Sequence, residues 1–335
     1  MTRGLAGAGV SDLIGSSREL AERLDRTSLL VRVLAAVVMH DVPSGDFRNA
    51  QAAAEASLEV AERSADPVEL AFGHFNVGSV GVHTGDITKA REHLDASLDF
   101  WDRQGESSAT GVEALFDVMT LPPALWIPAW AGIANAFAGD EEGADAAFVR
   151  VHAAADAMGQ DYVRLAAIGF NSWVAVTAGD VERVAALMDR AFELADPYLY
   201  PLWGAGGLAY RGWVKGLTGD VEGGLADLGR GLALWRQIGL GMLRGYFAGV
   251  VAEVQIAAGD VETAAQGIEE GLAASDEAGE RFYVPALLRL RAATRDDPAQ
   301  ARADLEEAIA VAQGQGAVLL ERRAREALDA VESTA

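Results

Sequence analysis

The chain contains no cysteine. Disulfides and thiolate catalysis are therefore excluded, and a zinc site would lack its usual thiolate ligands. Basic residues are few: 27 Lys and Arg stand against 50 Asp and Glu, for a net charge of −23. A protein that grips nucleic acid needs a basic face against phosphate, and an anionic membrane surface asks for the same. Neither partner is expected. No run of 18 apolar residues occurs, so no membrane span is expected either. The first twenty residues carry Asp12 and no long apolar stretch, unlike a secretory leader, and a cytoplasmic location is expected. Familiar catalytic devices are missing too. There is no G-x-x-x-x-G-K-[ST] loop, no H-E-x-x-H and no G-x-S-x-G. The five histidines, His40, His74, His83, His93 and His152, form no ligand spacing. No metal and no cofactor are predicted.

What the sequence does contain is a period. Gly-Asp stands at 45–46, 85–86, 139–140, 179–180, 219–220 and 259–260, so the glycines lie 40, 54, 40, 40 and 40 residues apart. Five residues after each Gly stand mostly small residues (Ala50, Ala90, Ala144, Val184, Gly224, Ala264), and nine after stand Ala54, Leu94, Phe148, Met188, Leu228 and Ile268. These offsets share one face of a helix. Seven before the Gly stand Gly78, Gly132, Ser172, Gly212 and Ala252, small enough for two helices to approach closely. Each Gly-Asp therefore reads as the turn of a helical hairpin. The Gly takes the left-handed conformation that ends one helix, and the Asp caps the next. A weaker copy aligns at Asp296-Asp297, and residues 317–332 read as a charged closing helix.

The order of small residue, Gly-Asp turn, Ala at five and bulky residue at nine resembles the tetratricopeptide repeat. Two departures are the 40-residue period and the missing Pro after the second helix. Longer repeats of this kind resemble the helical-repeat regions of large bacterial ATPase- or cyclase-linked regulators and of LuxR-type activators. The stretches "GHFNVGSVGVHTGDITKAREHLDASLDFWD" at 73–102 and "GERFYVPALLRLRA" at 279–292 carry this likeness most clearly. The resemblance implies an all-α fold: a right-handed superhelical solenoid of antiparallel helix pairs. Residues 18–335 would form one solenoid of about seven pairs after a flexible segment at 1–17, with an insertion at about 103–123.

The resemblance also implies that the concave face binds, and that its residues lie thirteen, ten, six and three before the turn Gly. Those offsets hold Phe72, Trp126 and Tyr246, then Phe75, then Trp173, Trp213 and Glu253. Asn76, Trp130 and Tyr210 stand beside them. Rings are out of pattern in a repeat whose core is built of Ala, Leu and Val, so an aromatic groove is expected. The chain is predicted to be a non-catalytic scaffold for a protein or peptide partner, with a regulatory role. The alternative is a pocket for an apolar small molecule, serving a sensor, a sequestering protein or an unusual enzyme. Asp117, in the insertion with Phe116 and Met119, and Glu253 are the two carboxylates considered for acid–base work. A groove open along the solenoid favours the first reading and a closed cavity the second.

Overall fold

The computed structural model describes residues 27–64, 66–104 and 121–334, together with positions 15, 16 and 19. Its described residues form helices and no strands. The fifteen helices are α1 (Thr27–Ser44), α2 (Phe47–Ser64), α3 (Pro67–Thr84), α4 (Ile87–Gln104), α5 (Pro123–Phe137), α6 (Glu141–Met158), α7 (Asp161–Ala178) and α8 (Val181–Leu194). They continue with α9 (Pro201–Leu217), α10 (Val221–Gln237), α11 (Arg244–Ala257), α12 (Val261–Ala278), α13 (Val284–Ala293), α14 (Pro298–Gln315) and α15 (Val318–Thr334). Consecutive helices pack as pairs, and each odd-numbered helix also touches the next odd-numbered one. The protein is a tandem helical repeat. The expected insertion, with Phe116, Asp117 and Met119, falls almost wholly at 105–120, outside the described residues, as does most of 1–17. The closing helix is present as α15.

The turns have the expected chemistry. Gly45, Gly85, Gly139, Gly179, Gly219 and Gly259 all have positive φ, between 80° and 108° for the last two and 79° to 86° for the others. The Asp that follows accepts a hydrogen bond from a first-turn backbone N–H: Asp180 from Arg183 at 3.0 Å, Asp220 from Gly223 at 3.0 Å, Asp46 from Asn49 at 3.1 Å. Close pairing needs the small residues. A Cβ on Gly212 would stand 2.6 Å from the Gly224 carbonyl oxygen, and one on Gly78 would stand 2.5 Å from Leu94 Cγ.

One feature lies beyond the repeat pattern. The solenoid coils tightly enough to meet itself after about five repeats. Backbone N–H groups of Gly241 and Phe282 donate to the carbonyls of Pro43 (2.8 Å) and His83 (3.1 Å), and that of Arg281 also donates to His83 (2.9 Å). Arg48 reaches the carbonyls of Asp276 and Glu277. Arg323 on α15 donates to the Thr177 carbonyl at 2.7 Å. The turns at 45, 85, 139 and 179 thus rest on the C-terminal third, whereas a Cβ at Gly219 or Gly259 would meet nothing within 4 Å. This seam draws the odd-numbered helices around a shared axis.

Helix α1 is long and apolar, though it carries Arg32, His40 and Asp41. Among the described helices it is the one long and apolar enough, by length and composition alone, to cross a membrane. In this structure Val31, Leu34, Ala35 and Val38 are buried in the main core cluster.

Candidate functional site

Most of the rings expected along a groove are buried, and Trp126 is partly buried. Phe72, Phe75, Trp130, Trp173, Trp213 and Tyr246 are all buried. The seam explains this: odd-numbered helices that would line an open trough in a loose solenoid face one another across the axis here. Their rings pack edge to face, Trp130 on Trp173 at 5.9 Å and 90°, Trp173 on Phe282 at 5.2 Å and 86°. Such contacts contribute roughly 0.5–1.5 kcal/mol each beyond area burial.

The packing is incomplete. A cavity of about 160 Å³ remains inside the ring of helices. Of the residues singled out in sequence, Phe75, Trp126, Trp130, Trp173 and Tyr210 line it. Phe170, Leu202, Trp203, Met188 and Trp235 complete much of the wall, and the end of α1 closes one side through Val38, Met39, Val42 and Pro43. The lining is almost wholly apolar; Ser79 and His83 are its exceptions beside the ring heteroatoms. Nε1 of Trp126, Trp173 and Trp203 is buried without an acceptor among the described residues, a cost that packed interiors normally avoid.

The remaining predicted residues serve elsewhere. Phe72 stacks on Phe75 at 6.5 Å. Asn76 donates to Ser57 Oγ at 3.3 Å, joining α3 to α2. Tyr246 packs on Tyr283 at 4.9 Å. Trp213 donates its indole N–H to Glu253 Oε2 at 2.8 Å. Glu253 also accepts from Arg289 at 2.6 Å and Arg323 at 3.3 Å. Its carboxylate is engaged by three donors and is absent from the cavity lining. Asp117 lies outside the described residues.

Burial raises the phenols of Tyr210, Tyr246 and Tyr283 above their ordinary value, so all three are neutral at physiological pH. His83, on the cavity wall, is held by Glu280 Oε1 at 2.8 Å. Glu280 Oε2 in turn accepts from the Leu243 backbone N–H at 2.6 Å. Among the described residues no group of three or more His, Asp or Glu is placed to hold a metal ion.

Sequence reasoning missed Phe170, Trp203, Trp235 and the 238–243 loop. Phe170 and Trp203 lie nine and sixteen residues before their turn Gly, off the expected groove offsets. Trp235 sits on an even-numbered helix, which a groove model assigns to the outside. Phe170 shares its offset with Trp130 and Tyr210, and Trp235 shares its offset with Trp101, so a recurring ring was the available signal; Trp203 alone is a ring where other copies carry none.

No family model matches the chain. An uncharacterized protein of Rhizobium meliloti (strain 1021) is 26% identical over 196 residues, covering 57% of this chain. The chain spans about a fifth of that relative's length, 19%. Among solved structures, a circular tandem repeat protein with novel repeat topology and enhanced subunit contact surfaces aligns over 96% of this chain and 89% of its own, at 14% identity and a TM-score of 0.26. That score is too low to bear on the fold.

Proposed function

We propose that the protein is a small-molecule-binding helical repeat whose apolar ligand occupies the axial cavity, and that it acts as a sensor or sequestering module. The observation that carries this reading is the cavity itself: apolar, aromatic-walled and set among the odd-numbered helices, though partly open. An apolar void of roughly 150 Å³ is large enough to hold a benzene-sized molecule. Burying a ring-sized ligand there gains about 25 cal/mol per Å² of apolar surface. Pockets that bind small molecules are concave, largely preformed and mostly apolar, and this one shares those properties. The likeness to right-handed tetratricopeptide-type sensor superhelices of bacterial regulators supports a regulatory, cytoplasmic role. The burial of most of the rings that an open peptide groove would use favours the small-molecule reading.

The test is direct binding of toluene, followed by calorimetry and by fluorescence of the cavity tryptophans. Micromolar to millimolar affinity is expected, with a raised melting temperature in proportion to ligand concentration. Gly206 lines the cavity, and a Cβ there would meet only Tyr210 Cε2, at 3.8 Å. Gly206→Leu should fill the void and abolish toluene binding while leaving the fold intact. A protein that binds no toluene, with melting unaffected by saturating ligand, would end this reading.

A further inference from the structure

On the outer surface, between α10, α11 and α12, lies an open groove of about 600 Å³. It has an apolar floor of Leu232, Phe247 and Val251 and a polar rim that includes Arg236, Gln255 and Gln266. Trp235, Leu240 and Met242 line both this groove and the axial cavity. A single layer of side chains, carried by the end of α10 and the 238–243 loop, is therefore all that separates the two spaces.

That layer is held by a few specific bonds. Trp235 Nε1 donates to the Met242 carbonyl at 3.1 Å. Gly241 N–H donates to Pro43, itself a cavity-wall residue. Leu243 has φ 63°, the one non-glycine residue in the left-handed region among the described residues. Such a conformation is costly for a branched side chain and persists only where surroundings enforce it. Here the enforcing bond is the 2.6 Å contact from the Leu243 N–H to Glu280. Two glycines flank Leu240 in the same loop: Gly239, in the left-handed region at φ 82°, and Gly241, packed against the Ser44 backbone.

We infer that groove and cavity are the two halves of one binding site, with Trp235 and the 238–243 loop as the door between them, and that the ligand is an amphiphile. Its apolar end enters the cavity and its oxygen-bearing end stays among Arg236, Gln255 and Gln266. The inference rests on the cavity being a binding site and adds the ligand's class and route. The polarity gradient supports it, because the inner wall exposes almost only apolar surface and the outer rim exposes more polar surface. A ligand polar at both ends would lose hydration at its inner end against a wall that exposes little polar surface. A ligand apolar throughout would gain nothing from the rim.

Gly267 on α12 lines the groove and not the cavity, and a Cβ there would meet nothing within 4 Å. Gly267→Trp therefore fills the groove without disturbing the fold. The experiment compares toluene, which fits the cavity alone, with decan-1-ol, which spans both halves. In the unmodified protein decan-1-ol should bind at least tenfold more tightly than toluene. In Gly267→Trp that advantage should disappear, while toluene keeps its Kd within twofold and associates at least fivefold more slowly. If toluene binds but decan-1-ol gains nothing over it, and Gly267→Trp changes neither affinity nor rate, the two-part site is refuted and the cavity reading stands. If neither probe binds, the cavity reading falls and this inference with it.

Discussion

Gly45 and Gly259 occupy the same place in their repeats and have nearly the same backbone, φ 82° and 80°. Alanine at either position costs about 1 kcal/mol for the left-handed conformation. Only Gly45 lies on the seam, where a Cβ would sit 2.7 Å from the Gly241 carbonyl oxygen. Gly45→Ala should therefore cost a further ~1–3 kcal/mol from overpacking. Denaturant melts of the two variants measure the difference, and equal losses would show that the seam bears no strain at this point. The repeat pattern made both glycines legible as turn residues. Nothing in the pattern distinguished them, because the seam pairs residues almost two hundred positions apart and leaves no periodic mark. The same holds for the candidate site. Phe75, Trp126, Trp130, Trp173 and Tyr210 could be found from register, but their enclosure could not. Trp213 and Glu253 obey the same register and are instead joined to each other, one repeat apart.

Within the helix pairs, the hairpin geometry was readable because every element of it is local: cap, turn and small-against-large contact. The buried carboxylates were less so. Asp227 on α10 is fully buried and accepts from Arg211 at 2.8 Å and Lys215 at 2.9 Å on α9, and from Arg230 on its own helix. In α14 Asp304 has the same register and is gripped by Arg291 and Arg295. Burial alone would raise the Asp227 pKa, but the hydrogen bonds from Arg211 and Lys215 outweigh it and hold the carboxyl at about 2. The folded value is below the unfolded one near 3.9. The stabilisation is thus fully present above about pH 4 and is lost as pH falls from there towards 2. With its partners partly solvated, the amount is roughly 1–2 kcal/mol. Asp227→Asn should lower stability by at least that much at pH 7 and flatten the acid limb of the melting curve. An unchanged limb would show that other carboxylates govern acid unfolding.

An open solenoid is stabilised by neighbours only, so its ends can fray while the middle persists. The seam changes this for the whole molecule. Arg323 ties α15 to α7 through the Thr177 carbonyl and to α11 through Glu253, so the last helix secures elements from both halves. Arg323→Ala should cost about 2–4 kcal/mol, more than an exposed arginine, because it leaves a buried carboxylate and a carbonyl short of a donor. Hydrogen exchange should then show α1–α3 and α12–α15 losing protection together. Loss confined to α15 would mean that the ends behave independently.

The partners across the seam also fix an order of events during synthesis. Pro43 waits for Gly241, nearly two hundred residues later, which at roughly 5–20 residues per second is about 10–40 s. Throughout that interval the apolar faces of α1 and α3 have no distal partner, and the emerging chain presents them to whatever is nearby in the cell.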